Sequence, residues 1–245
     1  MFAEILAFVI LAAPVTSNLP SYIHACGRNT SSVVYGQCIV DNIDNLKSMI
    51  CNEGLPEFDV PPSGSLTIDK LVIYDTNNLK WNVTDVKMRG FCDLNVNSIN
   101  VSTDKLHFKI DMMSENIILD AMYNFDIQLL VPLANKGLIH VTLDNSTNKV
   151  DVELKEVMKN GVTEIYASKI KSKIDVIKFS FEFNDEEEGS SQQLHKILSQ
   201  IINDNSKEII NMFKPIVEEM ISKLILSIFN KITYNRFKQL FPDEA

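Results

Sequence analysis

Apolar and polar residues alternate through most of the chain between residues 66 and 183. A period of two matches β-strands with one apolar face, which predicts an antiparallel sheet packed against a core. Turn-forming segments at 75–78, 145–148 and 159–161 divide the pattern, so we expect seven or more strands joined in order. The alternating runs are Leu66 and Ile68; Leu71 and Ile73; Trp81 and Val83; Leu106, Phe108, Ile110 and Met112; Ile139, Val141 and Leu143; Val150, Val152 and Leu154; and Phe179, Phe181 and Phe183.

The alternation slips by one residue at Asn97-Ser98, between Val96 and Ile99. One extra residue in a strand makes a β-bulge, which bends the strand and increases its twist. The slip also turns Asn100 away from the apolar face, so a glycan attached there would stay outside the core. We therefore expect a strongly curved sheet.

A helical pattern precedes the strands. Between Gly36 and Asn52, apolar residues recur every three or four positions, and Gly54 and Pro56 follow as stop signals. This predicts one amphipathic helix, followed by an extended proline-rich connector. The apolar face carries Ile39, Ile43, Leu46 and Ile50.

A second helical pattern runs from Ser191 to about Thr233, opened by the capping-box spacing of Ser190 and Gln193. A helix of this length would extend roughly 65 Å. Pro215 lies inside it and predicts a kink rather than an end.

The apolar residues of this second helix form pairs that repeat at steps of four. At about 100° per residue, each step overshoots a turn by roughly 40°, so the apolar stripe rotates around the helix. A coiled coil needs a shorter step, and Glu218, Glu219 and Lys223 exclude a membrane span. A twisted sheet curled around the helix rotates with such a stripe; a multi-helix bundle is disfavoured because too little of the chain is helical. The pairs begin at Met212, Ile216, Met220, Leu224, Ile228 and Ile232.

Three features predict a secreted protein. Residues 1–17 hold a short apolar run and a small-residue cleavage site, which indicate a signal peptide before a single mature domain at 18–245; a short buried N-terminal helix is the alternative. Four cysteines suit two disulfides in an oxidising compartment, with three pairings open. Four glycosylation sequons are the third feature. The cysteines are Cys26, Cys38, Cys51 and Cys92, and the sequons begin at Asn29, Asn82, Asn100 and Asn145.

Charge and motif content exclude several function classes. A formal charge of −9 disfavours nucleic acid and anionic lipid as partners. The cysteine spacing lacks a C-x-x-C knuckle and the histidines are scattered, so we predict no metal site, and we interpret the acidic segment 185–188 as a solvated turn rather than a calcium loop. No nucleophile elbow, zinc-protease motif or phosphate loop occurs, so we expect no catalytic residues and no cofactor. The histidines are His24, His107, His140 and His195.

Several short motifs stand in a recognisable order between residues 19 and 242. They are Leu19-Pro20-Ser21-Tyr22-Ile23 with Cys26 and Cys38, Glu53-Gly54-Leu55-Pro56 before Val60-Pro61-Pro62, Arg89-Gly90-Phe91, Tyr123 with Pro132, Asn203-Asp204-Asn205, Lys214-Pro215 and Leu240-Phe241-Pro242. In this order they resemble the insect takeout and juvenile hormone binding protein family. Ser206, where the family often has tryptophan, and the acidic segment depart from it.

The resemblance implies an α+β fold in which a highly curved antiparallel sheet wraps one long, kinked C-terminal helix, with a short N-terminal helix beside it. It is similar to one half of the lipid-binding TULIP superfamily. The implied function is a secreted, monomeric, non-enzymatic carrier that holds a juvenile hormone-like terpenoid, a fatty acid or another lipid in an internal tunnel, without stable membrane insertion. The alternatives are a secreted protein that recognises lipid, such as microbial lipid, at a membrane surface and, less favoured, an ester hydrolase.

The resemblance also implies specific residue roles. It pairs Cys26 with Cys38. Cys51 and Cys92 depart from the family pattern, and the presence of both suggests a second bridge that ties the first helix to the sheet. The expected tunnel wall combines inward residues of the strands with apolar residues of the long helix. These candidates are Leu106, Phe108, Ile110, Tyr123, Phe179, Phe181, Met212, Phe213, Ile216 and Met220.

Overall fold

The computed structural model describes residues 19–128, 132–159, 161–184, 195–196, 199–200, 202–204 and 206–244. The predicted signal peptide at 1–17 and the acidic segment at 185–188 lie outside these residues. In the described part, helix α1 at Ser32–Asn52 precedes a curled antiparallel sheet, and helix α2 at Ser206–Thr233 and the short helix α3 at Phe237–Leu240 follow it. The half-barrel sheet around one long C-terminal helix confirms the predicted fold class.

The sheet is built from a few very long strands. Its order is β1-β2-β4-β5-β6, and β3 pairs with β4 outside this path. One edge of β4 is shared, because β3 pairs with its first half and β2 with its second half. The strands are β1 at Leu66–Asp75, β2 at Leu79–Arg89, β3 at Leu94–Val101, β4 at His107–Gln128, β5 at Pro132–Lys159 and β6 at Val162–Asn184.

The predicted strand number is wrong, since six strands cover the described part of the alternating region. The breaks at 75–78 and 159–161 do separate strands, but the polar segment at 145–148 lies inside β5. Its backbone is distorted rather than reversed: Asn145 has a φ of 54°. Val141 on one side of it and Ser146 on the other are both buried, so the inward face changes from odd to even positions.

The same change of face occurs on all three long strands along one row across the sheet. The ladders pair Ser146 with Ser114 of β4 and Val176 of β6, and Asp144 with Asn116 and Lys178. The unpaired residues between these pairs, Glu115, Asn145 and Ile177, therefore lie in one row. All three residues are exposed on the outer surface. We call this row the bend line. Local irregularities of this kind increase the twist of a sheet and bend it. Because they lie in one row across three strands, they bend the whole sheet into a half-barrel.

Two other local predictions are confirmed. The β3–β4 register shifts between Val96 and Ser98, at the expected slip, and Asn100 is exposed. Helix α1 ends where predicted and begins four residues before Gly36, because Ser31 provides an N-cap whose hydroxyl accepts from the Val34 amide at 3.3 Å.

Polar side chains of α2 attach the helix to β6, which is an edge strand of the sheet. The backbone N–H of Ile174 donates to Glu218 Oε1 at 2.9 Å, and that of Ser172 donates to Ser222 Oγ at 2.9 Å. These amides point away from β5 and would otherwise lack partners. The helix thus continues the hydrogen-bonding pattern of the sheet with side chains.

Asn230 makes the same kind of contact further along the helix. Its carboxamide accepts from the Ala167 N–H at 2.8 Å and donates to the Ala167 carbonyl at 3.0 Å. Lys214 extends the row with an ion pair to Asp175 at 2.7 Å. The polar positions 214, 218, 222 and 230 are multiples of four apart, so the polar stripe of α2 rotates in step with the apolar one.

Helix α2 continues through Pro215 without an end, as predicted. Upstream of it, the described residues 195–196, 199–200 and 202–204 are also helical. The kink at Pro215 remains a prediction.

We predict that Asn230→Ala destabilises the protein, because it leaves the N–H and carbonyl of buried Ala167 without their partners. The free energy of unfolding should fall by about 2 kcal/mol, measured by urea denaturation. Asn211→Ala is the matched control, since Asn211 is an exposed asparagine of the same helix. An equal loss in both variants would contradict the role of the edge contact.

Candidate ligand-binding cavity

Two apolar cavities are lined by described residues, and the larger of them, with a volume of about 350 Å³, lies between α1, the C-terminal half of α2 and the sheet. The wall contributed by α1 is its predicted apolar face. The sheet contributes mainly even-numbered residues from one side of the bend line, with Ile117 from the other side. The apolar lining includes Ile39, Ile43, Leu46, Ile50, Phe108, Ile110, Met112, Ile117, Val150, Val152, Leu154 and Ile170.

The smaller cavity, of about 110 Å³, lies beneath the N-terminal half of α2. The sheet residues around it come mainly from beyond the bend line, where odd positions of β4, β5 and β6 face inward. Lys214 is its only charged neighbour among the described residues. The apolar lining includes Ile68, Leu71, Ile73, Trp81, Val83, Leu119, Ile139, Val141, Leu143, Phe179 and Phe181.

The two cavities are adjacent and share one side chain. Ile174 of β6 lines both. On β4 the lining passes from Ile117 in the larger cavity to Leu119 in the smaller one, two residues further along. On α2 it passes from Ile221 to Val217, one turn away. The cavities therefore meet close to the bend line.

The two residues of each apolar pair of α2 differ in how they line the cavities. The second member of each pair faces a cavity throughout, whereas the first member does so only in the C-terminal half. A stripe that repeats every four residues rotates by roughly 40° per step, so the first members turn inward only gradually. The second members are Phe213, Val217, Ile221, Ile225 and Phe229, and the lining first members are Leu224, Ile228 and Ile232.

The structure brings five of the ten sequence-predicted wall residues to a cavity. Phe108 and Ile110 line the larger one, and Phe179, Phe181 and Phe213 line the smaller one. The other five are not among the lining residues of either. Leu106 packs against the core cluster around Phe108, Tyr123 packs in the cluster around Val141, and Met212, Ile216 and Met220 lie on the flank of α2.

The face of α1 was recognisable from its spacing, but its role as a cavity wall was not. A helical period identifies an apolar face, and nothing in it specifies which surface covers that face. The contacts that close the molecule beside α1 could not be predicted from the sequence either. There, the C-terminal segment pairs with the N-terminal one: the Leu240 carbonyl accepts from Cys26 N–H at 2.7 Å, and the Pro242 carbonyl accepts from Arg28 N–H at 2.8 Å.

A small number of polar side chains interrupt the apolar wall of the larger cavity. Ser114 and Ser146 face each other across β4 and β5, and Asn148 follows on β5. The Ser172 hydroxyl donates to Asn148 Oδ1 at 2.6 Å. Burial raises the pKa of Tyr35, on the α1 side, to about 12, so its hydroxyl is neutral at physiological pH.

A buried polar cluster involving Tyr123 lies in the core next to the smaller cavity. The Tyr123 hydroxyl lies 2.7 Å from His195 Nε2, and Asn135 Nδ2 lies 3.1 Å from the same nitrogen. The His195 ring stacks on Phe183 with centroids 4.6 Å apart. Hydrogen bonding and stacking thus hold this histidine in the core, joining β4, β5 and β6 to the helical residues before α2.

The disulfide implied by the resemblance and the second bridge suggested by Cys51 and Cys92 are both present. Cys26–Cys38 ties the N-terminal segment to α1, and Cys51–Cys92 ties the end of α1 to the segment before β3. Lys47 reinforces the second attachment, since its Nζ donates to the Leu94 carbonyl at 2.8 Å. The α1 wall of the larger cavity is therefore fixed to the sheet at its C-terminal end.

Two classes of feature were not found in the described part of the chain. No group of three histidine, cysteine, aspartate or glutamate side chains there is arranged to hold a metal ion. No helix in the described residues has both the length and the apolar content needed to cross a membrane.

Comparison with known proteins gives one family and one fold. Residues 5–242 match the family described as haemolymph juvenile hormone binding protein. The crystal structure of Epiphyas postvittana Takeout 1 matches with a TM-score of 0.66 at 18% identity, covering 87% of this chain and 98% of that one. A lipopolysaccharide binding protein gives a TM-score of 0.42 at 11% identity, covering 80% of this chain but only 37% of that one. No curated protein matches in sequence.

We predict that replacing Cys51 and Cys92 by alanine together loosens the α1 wall. Opening a cross-link between residues 41 positions apart should cost about 4 kcal/mol in the chain-entropy description. Amide hydrogen exchange should accelerate in the C-terminal half of α1 more than in β4 and β5. The matched control replaces Cys26 and Cys38, whose separation is 12; its exchange should accelerate at the opposite end of α1. Uniform acceleration in both variants would contradict a local tether.

Proposed function

The chain belongs to the haemolymph juvenile hormone binding protein family, and from this premise we propose that it is a secreted carrier that encloses one elongated hydrophobic molecule between α2 and the sheet. The ligand classes that fit are a juvenile hormone-like terpenoid, a fatty acid or another long-chain lipid. We propose that it occupies both cavities as one tunnel.

The observation that supports this proposal is the pair of adjacent apolar cavities with Ile174 in common. The larger alone is within the usual range for small-molecule sites. Together they run beneath both halves of α2, a shape that suits a long, narrow ligand. Among the ten predicted wall residues, we propose ligand contact for the five that line a cavity, namely Phe108, Ile110, Phe179, Phe181 and Phe213.

Apolar burial is sufficient to hold such a ligand. At about 0.8 kcal/mol per buried methylene, a chain of about a dozen carbons gains on the order of 10 kcal/mol before the costs of association. Displacement of water from an apolar wall needs no charged partner. The proposed carrier therefore takes up and releases its ligand unchanged, with no cofactor and no catalytic step.

Secretion is part of the proposal and is supported by the chemistry of the surface and the cysteines. Two disulfides are typical of proteins from oxidising compartments. Three of the four sequon asparagines, Asn29, Asn100 and Asn145, are exposed, while Asn82 is half-buried in β2. We further propose that residues 1–17 are removed as a signal peptide and that the mature domain acts as a monomer.

Ligand uptake is tested by displacing a fluorescent long-chain fatty acid from delipidated protein, with native mass spectrometry of lipids that co-purify with the secreted chain. We expect one ligand per chain, recovered intact after incubation even when it is an ester. Turnover of the ester would contradict the carrier, and an interior that neither retains nor exchanges lipid would contradict the proposed function altogether.

We predict that Ile174→Trp divides the tunnel, because the larger ring would fill the junction of the two cavities. Affinity for a long-chain fatty acid should fall at least about tenfold, while a short-chain ligand that fits the larger cavity alone should bind as before. Ile177→Trp is the control, since Ile177 is on the outer face of the same strand and is 75% exposed. Equal loss of short and long ligands with Ile174→Trp would argue against a shared tunnel.

We predict glycans on Asn29, Asn100 and Asn145 of protein secreted from insect cells, and little or none on Asn82. A glycan can be accommodated where the asparagine side chain is exposed, whereas Asn82 is half-buried between neighbours on β1 and β4. Glycopeptide mass spectrometry measures the occupancy of each site. Full occupancy of Asn82 would contradict the half-buried position of its side chain.

A further inference from the structure

We propose that Ser146 is a polar recognition site inside the larger cavity, and that the ligand carries an uncharged oxygen acceptor, such as an ester or ketone carbonyl, along its apolar chain. This inference rests on the proposed carrier function and narrows its ligand class.

The Ser146 side chain is the unusual feature. The residue is 3% exposed and lines the larger cavity. Its hydroxyl oxygen is buried and has no hydrogen-bond partner among the described residues. A buried hydroxyl without a partner is unfavourable, and native proteins retain few of them. An acceptor on a bound molecule would supply the missing partner.

The backbone places this hydroxyl inward by a specific distortion. Asn145, the preceding residue, has a φ of 54° on the bend line. A regular strand would have kept the odd positions, such as Leu143, facing the core and turned Ser146 outward. The serine therefore faces the interior at the point where the two cavities meet, roughly midway along the proposed tunnel.

Neighbouring side chains define the polarity of the site. Ser114 faces Ser146 directly across the β4–β5 ladder, and Asn148 already accepts from Ser172. The charged side chains that line the larger cavity in the described residues are limited to Lys47, apart from the titratable His24. Lys47 is engaged by Asp44 at 2.9 Å and by the Leu94 carbonyl.

This arrangement favours a neutral group over a carboxylate. Burial of a carboxylate without a charged partner is strongly unfavourable, and no lining cation faces Ser146 unpaired. A serine hydroxyl can donate one hydrogen bond to a carbonyl oxygen without any change of charge. An ester or ketone within a long apolar chain meets both conditions.

The test compares three ligands with the same chain, methyl myristate, myristic acid and tetradecane, in displacement of a fluorescent long-chain probe. The wild-type protein should bind the ester more tightly than the acid or the alkane. Ser146→Ala should weaken the ester about five- to tenfold and leave tetradecane unchanged. Thermal unfolding of the ligand-free variant should show no loss of stability, because an unpartnered hydroxyl is removed.

Val150→Ala is the matched control. Val150 is 2% exposed and lines the same cavity with methyl groups only, so its truncation should weaken ester and alkane equally. If Ser146→Ala did not fold, the wild-type ranking of the ester over the alkane would decide the question.

Several outcomes would overturn the inference while leaving the carrier intact: equal binding of ester and alkane to the wild type, an unchanged ester affinity in Ser146→Ala, or a preference for the acid. A crystal structure of the ester complex in which Ser146 bonds only a water, with the carbonyl elsewhere, would overturn it too. Failure of all three ligands to displace the probe would instead contradict the proposed function itself.

Discussion

The architecture depends on the hydrogen bonds that α2 side chains make with the edge of β6. An edge strand exposes amide groups that need partners. Here Glu218, Ser222 and Asn230 supply them, so the helix is held at one line of the sheet while its apolar side faces the interior. Because these contacts fix the rotation of α2, they also decide which apolar residues line the cavities. Polar residues outside the cavities therefore determine which apolar side chains of α2 line them.

The second organising feature is the bend line. Three strands change their inward face along the same row, which lets a single sheet cover both halves of the helix with apolar residues. A regular sheet of this length would have presented its polar face to one half of α2. The residues of the row itself are exposed, so the distortion is absorbed at the surface while the interior stays apolar. The two cavities on either side are a direct product of that change of face.

Much of this arrangement could be predicted because it depends on local periodicity. The slip at Asn97-Ser98, the face of α1 and the step of four in the long helix are all readable from spacing. The segment at 145–148 was misinterpreted because polar residues in a strand look the same whether the chain reverses or only distorts. The sequence also did not show which side of α2 faces the interior. Met212 and Phe213 are both apolar, and only the hydrogen bonds of α2 to the edge of β6 determine which of them points inward. Likewise, nothing in the sequence marks Ser146 as inward-facing, because its orientation depends on the backbone of Asn145.

The position of α2 after all the strands in chain order has a consequence for biosynthesis. The sheet is assembled from hairpins of neighbouring strands, so β4, β5 and β6 can pair as they leave the ribosome. The apolar concave surface that they create remains uncovered until residues 206–240, which follow the strands in the chain, have been translated. During that interval the nascent chain exposes a large apolar surface and a strand edge whose backbone groups lack hydrogen-bond partners, both of which favour aggregation. Packing of α2 is thus the step that covers the apolar surface and supplies partners to the edge of β6.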